Sequence, residues 1–220
     1  MKEKLICGID DSGRGPVIGP MVLAGVLCKE SDIEKLKLAK VKDSKVLTRQ
    51  KRTQLQKKIQ EIAQKYYVVI IEPPEIDDLI AKGTNLNQIE AIQAAKIINF
   101  LNPDLTIIDC PSPNKKAWKN SVFELLQKKS EVIAEHKADR DFPIVSAASI
   151  LAKCKRDEEI DNIKERVKED FGSGYPHDTK TIDFLKKYSK KYPELFRKSW
   201  QTYKDHTSEK QQKSLGEYRE

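Results

Sequence analysis

LICGIDDSGRGPVIGPMVLAGVLC, residues 5–28, is the stretch from which the fold of this chain is read. Its two apolar runs, Leu5–Ile9 and Met21–Cys28, predict strands with buried faces. Between them stand adjacent carboxylates (Asp10, Asp11), Ser12, then Gly13, Arg14, Gly15 and Pro16, with Gly19 and Pro20 closing the turn. The glycines let another molecule approach the main chain, and the prolines keep the segment from winding into a helix. Two acids at the end of a buried strand are costly unless something cationic meets them. The pattern is that of a metal-dependent site with a loop beside it that faces nucleic acid. A dinucleotide fingerprint does not fit, because the glycines at 13, 15 and 19 have the wrong spacing and a proline stands where the helix should begin. A Walker loop is excluded too, since no Gly-Lys-Ser/Thr ends the run.

Length and charge bound the rest. A chain of 220 residues can bury a sizeable core. Its 41 Lys+Arg against 34 Asp+Glu, a formal charge of +7, suit a polyanionic partner. Cys7, Cys28, Cys110 and Cys154 are widely spaced and mostly inside apolar runs, which fits reduced thiols rather than zinc ligands or a disulfide framework. No apolar run approaches membrane-spanning length, and the first residues run into a strand rather than a signal peptide. The expectation is a cytoplasmic protein without a membrane partner, and a monomer.

Working outward, Glu30–Lys40 reads as a short charged helix, and Thr48 as the N-cap of a helix to about Lys65 with Leu55, Ile59 and Ile62 on its apolar stripe. Tyr66–Ile71 is a buried strand stopped by Glu72-Pro73-Pro74, and a short acidic helix follows. Leu86–Leu101 is a long helix with the stripe Ile89, Ile92, Ile97, Phe100, broken by Asn102-Pro103-Asp104. Leu105–Ile108 is a strand ending at Asp109, Lys115–Lys128 a basic helix with Trp118, Phe123, Leu125 and Leu126, and Glu131–Ala134 a short strand leading to Asp139. From Phe142 a run rich in small residues predicts a helix packed closely on the sheet and continuing to Glu169; Asp178–Lys190 and Pro193–Trp200 add a basic, mostly helical region. The class is α/β, a mixed sheet flanked by helices with a C-terminal helical region. The expected divisions are a catalytic domain over 1–170, a helical substrate-binding region over 171–205 and a polar tail over 206–220.

Carboxylates follow three strand-like runs, at Asp10/Asp11, Asp109 and Asp139, and strand ends of an α/β sheet are where sites assemble. Converging acids without a cysteine or histidine cluster favour a hard cation, Mg²⁺ or Mn²⁺. Two such ions about 4 Å apart activate water and stabilise a leaving oxygen in phosphodiester hydrolysis. The plainer reading of each acid is a solvated residue at a loop entry. Arg14 would add a phosphate or sugar contact, and Tyr175 a stacking surface, or else packing between domains. Lys45, Lys137 and Lys153 are phosphate candidates, with surface charge as the alternative. His136 is an acid/base near the acids or an ordinary capping histidine.

GIDDSGRGPVIGP (8–20) resembles the opening signature of ribonuclease HII, usually written with Asp-Glu-Ala where this chain has Asp10-Asp11-Ser12. The likeness continues through VKDSKVLT (41–48), TNLNQIE (84–90), IIDCPSP (107–113), AEHKADRDFPIVSAASILAK (134–153), CKRDEE (154–159), GSGYPHDTKTIDFL (172–185) and RKSWQT (197–202). It covers essentially the whole chain in order and looks like the archaeal branch, close to the catalytic subunit of eukaryotic ribonuclease H2. The resemblance implies a ribonuclease H-like sheet domain. It also implies an endonuclease that hydrolyses the RNA strand of RNA–DNA hybrids and cuts 5′ to single ribonucleotides in duplex DNA, leaving a 3′-hydroxyl and a 5′-phosphate. The family's acidic quartet falls on Asp10, Asp11, Asp109 and Asp139, as catalytic residues and ligands of two Mg²⁺ or Mn²⁺ ions. Its ribose-reading element falls on Gly13, Arg14 and Gly15, and its junction-sensing tyrosine on Tyr175. Ser44, Lys45, Ser146 and Ser149 are implied substrate contacts.

Asp11 in place of glutamate shortens the reach by one methylene and puts metal geometry in question. Lys186, Lys187, Lys190, Lys191, Arg197 and Lys198 form a candidate phosphate-tracking surface. Gln212, Leu215 and Tyr218 resemble the peptide by which replication proteins dock on the sliding clamp, although Arg219 stands where a second aromatic belongs. Two other readings stay open on the residues alone: a non-catalytic or weakly active hybrid-binding protein, and another two-metal DNA nuclease.

Overall fold

The computed structural model describes residues 3–39, 41 and 47–206. Strands β1 (Leu5–Ser12) and β2 (Met21–Lys29) pair antiparallel, from Leu5 opposite Lys29 to Ser12 opposite Val22, as a short connection demands. With β3 (Lys65–Ile71), β4 (Leu105–Asp109) and β5 (Glu131–Glu135) they form one sheet in the order β3-β2-β1-β4-β5. β4 runs parallel to β1, and β5 parallel to β4. Each parallel step needs a crossover, and helices lie between those strands in the chain. The mixed sheet flanked by helices is the architecture expected from the sequence.

The helices are α1 (Ile33–Leu38), α2 (Arg49–Ile62), α3 (Pro73–Ala81), α4 (Leu86–Leu101), α5 (Lys115–Glu124), α6 (Ala138–Asp141), α7 (Pro143–Val167) and α8 (Thr179–Tyr188). Thr48 caps α2 as expected, its hydroxyl accepting the Lys51 N–H at 3.3 Å. That helix ends at Ile62, and Lys65, which the sequence assigns to it, opens β3. α3 begins on the two prolines themselves, since an N-terminal helical position needs no N–H donor. α4 has a full capping box: Asn85 accepts the Gln88 N–H at 3.0 Å and Gln88 accepts the Asn85 N–H at 2.8 Å. Asn102, left-handed at φ 50°, ends it. The expected stripe is only half right, because Ile92 and Phe100 are exposed while the alanines Ala91, Ala94 and Ala95 are buried with Ile89 and Ile97. α5 stops at Glu124; its Trp118 and Val122 are buried, while Phe123 and, just past its end, Leu125 are exposed.

The chain divides into two compact units that interleave in sequence. The first holds residues up to Ser12, Val22–Ile70 and Asn85–Asp157. Its core joins Val22, Ala24 and Val26 of β2 and Leu55 and Ile59 of α2 to Ile144, Ala148, Leu151 and Ala152 of α7. Alanines at 147, 148 and 152, all fully buried, let α7 lie close on the sheet.

The second unit holds Gly13–Met21, Ile71–Thr84 and the chain from Glu158. Its core is Val17, Ile18, Ile160, Ile163, Phe171, Phe184, Leu185 and Phe196. Ile18 bridges Phe196 antiparallel, and the Phe184 ring lies 5.3 Å from that of Phe171 and 5.9 Å from that of Phe196. Among the described residues no helix is long and apolar enough to cross a membrane.

Candidate active site

In the first unit, parallel pairing of β1 and β4 ends with Ile9 opposite Ile108, so Asp10 and Asp109 are the next residues of the two neighbouring strands. Asp10, Asp11, Asp109 and Glu90 line one small cavity, with Ile9, Ile108 and Trp118 among its walls. Asp10 is 6 % exposed, and its Oδ1 accepts the Asp11 N–H at 2.8 Å. Burial, then the Asp11 and Asp109 carboxylates, push the Asp10 pKa well above the usual carboxylate range; a hydrogen bond from the Ser149 hydroxyl opposes the shift. Asp109 is tied down by the Ala138 N–H, 2.7 Å from its Oδ1. That bond brings the start of α6, and with it buried Asp139, to the end of β4. The structure therefore gathers Asp10, Asp11 and Asp109 at one cavity and sets Asp139 one residue beyond a group bonded to Asp109.

These side chains fit a hard divalent cation by two observations. The donors are oxygens throughout, and Asp10 is strained in its ionised form by neighbours that a cation would offset. Among the described residues, no three Asp, Glu, His or Cys side chains stand close enough to form a ready ligand set.

Glu90 is the residue that sequence reasoning missed. It is 2 % exposed on α4 and lines the acidic cavity. The signal was present, since TNLNQIE puts it directly after buried Ile89, but a helical glutamate reads as solvated. One turn earlier, the Asn87 carbonyl accepts the Trp118 indole N–H at 2.9 Å, fixing the wall of the cavity.

Ser149 is fully buried and hydrogen-bonds to the Asp10 carboxylate. Ser146 is also buried and lines a different cavity, with Ile33, Lys37, Val41, Arg140, Asp141 and Pro143. His136 Nδ1 lies 3.1 Å from the Cys110 carbonyl; because a carbonyl only accepts, this nitrogen carries the proton. Lys137 is exposed, left-handed at φ 57°, and opens α6, while Lys153 is half-buried on α7. Ser44 and Lys45 lie outside the described residues, as do Gln212, Leu215 and Tyr218.

In the second unit, Gly13 takes φ 86°, a left-handed conformation that disfavours side chains, and is buried. Arg14 is half-buried and Gly15 exposed. A Cβ built on Gly15 would lie 3.5 Å from the Tyr175 ring, so the tyrosine stands directly against the loop. The Gly174 carbonyl accepts the Val17 N–H at 2.9 Å, which ties GSGYP to the same loop. Lys186, Lys187, Lys190, Lys191 and Lys198 are exposed, as a phosphate-tracking surface needs. Arg197 is not part of it. It is fully buried, and its guanidinium donates to the carbonyls of Gly13, Arg14 and Gly19.

The family model for Ribonuclease HII matches residues 7–203. Ribonuclease HII of Methanosarcina acetivorans is 43 % identical over 209 residues, covering 90 % of this chain and 93 % of the relative. That of Methanococcus maripaludis (strain C6) is 46 % identical over 210 residues, covering 92 % and 87 %. Among solved structures, ribonuclease H2 from Pyrococcus horikoshii OT3 superposes with TM-score 0.86 at 38 % identity, covering 93 % of this chain and 98 % of the other. RNase HII in the PCNA:RNase HII complex from Archaeoglobus fulgidus gives TM-score 0.82 at 38 % identity, covering 90 % and 95 %.

Proposed function

The chain belongs to the ribonuclease HII family, archaeal type, and on that premise we propose an endonuclease acting on RNA–DNA hybrids and on single ribonucleotides embedded in duplex DNA. The observation that carries the reading is the convergence of Asp10, Asp11 and Asp109 on one cavity where the pairing of β1 with β4 stops. Asp10, Asp11, Asp109 and Asp139 would hold Mg²⁺ or Mn²⁺, which supplies a water of lowered pKa and charge stabilisation at the leaving oxygen. Asp10 is oriented for this by the Asp11 N–H and the Ser149 hydroxyl, and Asp109 by the Ala138 N–H. Reading of the sugar falls to the Gly13–Gly15 loop, against which Tyr175 stands. A buried contact to a 2′-hydroxyl would reject deoxyribose, because the partners would be left unpaired.

The test is cleavage of a DNA duplex carrying one ribonucleotide, with Mg²⁺, Mn²⁺ or EDTA, beside an all-DNA control. A metal-dependent cut on the 5′ side of the ribonucleotide, leaving a 3′-hydroxyl, is expected. Equal cutting of the all-DNA duplex would instead favour a general DNA nuclease, and tight binding without cutting a hybrid-binding protein.

Asp11 keeps the charge of the usual glutamate on a shorter arm. Asp11→Glu is expected to hold cleavage within about tenfold of wild type while changing the ratio of rates in Mg²⁺ and Mn²⁺. Asp11→Asn should lose about 10²-fold or more, the cost of misplacing or removing a group at the reacting centre. Initial rates of the three proteins in each ion decide this. An unchanged Asp11→Asn rate would remove Asp11 from the site.

The Archaeoglobus fulgidus protein was solved in complex with PCNA, which supports a second element of the proposal: residues 212–218 dock this chain on a sliding clamp. Truncation after Lys210 should abolish clamp binding in a pull-down while leaving cleavage intact. Equal binding by the truncated protein would refute this role of the tail.

A further inference from the structure

Arg197 gives four hydrogen bonds to main-chain carbonyls: Nη2 to Gly13 at 2.6 Å and Gly19 at 3.0 Å, Nη1 to Arg14 at 2.9 Å, and Nε to Gly19 at 3.1 Å. Its guanidinium also lies 4.8 Å from the Trp200 ring, and the Trp200 indole N–H donates to the Gly15 carbonyl at 3.2 Å. Three successive carbonyls, of Gly13, Arg14 and Gly15, are thus held by two side chains of one short segment. That segment is anchored in turn: Asp77 of α3 accepts the N–H of Lys198 at 2.7 Å, the N–H of Ser199 at 2.9 Å and the Ser199 hydroxyl at 2.5 Å.

In a trans peptide the C=O and the following N–H point in opposite directions, and the described chain has no cis peptide. Drawing the Gly13 and Arg14 carbonyls towards Arg197 therefore turns the N–H groups of Arg14 and Gly15 the other way. The third carbonyl, that of Gly15, is followed by Pro16, which has no N–H to present. Both N–H groups thus lie on the side of the loop away from the buried cation. A lysine could not reproduce this, since only the planar fork reaches several carbonyls at fixed angles.

We propose that Arg197 and Trp200 are positioning residues for ribose recognition: Arg197 sets the direction in which the Arg14 and Gly15 N–H groups face, and Trp200, by holding the Gly15 carbonyl, fixes the end of the loop that carries them. The inference rests on the reading of this loop as the sugar-recognition element. Neither residue touches substrate; each acts through the loop.

The experiment measures binding in EDTA to a duplex with one ribonucleotide and to its all-DNA twin, with melting temperatures taken in parallel. Wild type should prefer the ribonucleotide duplex. Arg197→Lys should cut that preference about tenfold or more, and Trp200→Phe, which keeps a ring but loses the indole donor, about threefold to fivefold, on the scale of one or two lost hydrogen bonds. A merely structural role would lower the melting temperature and the active fraction but leave the ribo-to-deoxy ratio of the folded protein unchanged, and that result would overturn the inference. If Arg197→Lys does not fold, Trp200→Phe decides, with an unchanged ratio again overturning it. Absence of any preference in the wild type would overturn the sugar-reading loop itself, and the inference with it. That failure is told apart because it appears before any variant is made.

Discussion

Asp10→Asn is expected to reduce cleavage by about 10³-fold or more, the scale seen when one group acting on transition-state charge is removed, and at the same time to raise the melting temperature of the metal-free protein. Asparagine keeps the oxygen that accepts the Asp11 N–H, and its amide can donate to the Ser149 hydroxyl, which accepts as readily as it donates. What it removes is a charge that burial, then Asp11 and Asp109, oppose. The sign follows from the raised pKa. An unfolded aspartate ionises near pH ~3.9, while the folded protein holds the Asp10 proton to higher pH. Between those two values folding takes up a proton, so stability falls as pH rises, and above the folded value the penalty is complete. The gain from Asp10→Asn should therefore be largest at neutral pH and vanish below the unfolded value, where both states are protonated. Adding Mg²⁺ or Mn²⁺ should raise the melting temperature of wild type and leave that of the variant nearly unmoved. A variant that melts below wild type in EDTA at pH 7 would show that Asp10 is not held against its preferred state.

This conflict between a folded strand and an ionised acid was legible in part. β1, β2 and β4 could be read because each is a short apolar run cut off by glycine, proline or an acid, and α4 because Asn85 and Asn102 punctuate it. Asp10, Asp11 and Asp109 could be nominated because each follows such a run. Their convergence could not be read, for it depends on β4 lying parallel beside β1, a pairing made across the whole crossover that includes α4. Glu90 stayed hidden because local pattern gives a helical carboxylate to solvent, whereas here the cavity claims it. Arg197 was misread for the opposite reason. It sits among exposed lysines in sequence, yet its partners lie some 180 residues away at Gly13 and Gly19, and no local periodicity records such a contact. Asp139 could be nominated in the same way, from the strand-like run Glu131–Ala134 before it, and the fold gives it its place through the bond from Ala138 to Asp109.

Gly8→Ala is expected to be the most damaging single substitution to the fold. Gly8 sits in the middle of β1, opposite Val26 of β2 on one side and Ile107 of β4 on the other. A Cβ there would overlap the carbonyl of Ile144 and the nitrogen of Val145, main-chain atoms of the first turn of α7. A side chain could rotate away from an added methyl, but a helix backbone bedded in a close-packed core cannot. Either α7 lifts from the sheet or β1 bends, at a cost of about 3 kcal/mol or more, the upper end of overpacking penalties. Gly83→Ala makes the control: nothing lies within 4 Å of its Cβ position, and only its φ of 88° opposes a side chain, for about 1–2 kcal/mol. Urea midpoints of the two variants against wild type test the ranking. The damage should also reach the chemistry. Asp10 lies two residues beyond Gly8 on β1, and Ser149 lies on the helix that must move, so separating β1 from α7 pulls apart the carboxyl and its hydroxyl donor. Cleavage by the folded fraction of Gly8→Ala should thus fall further than that of Gly83→Ala. A Gly8→Ala protein with an unchanged midpoint would mean that α7 does not rest on β1 at this point, and the account of how Ser149 is delivered to Asp10 would fall with it.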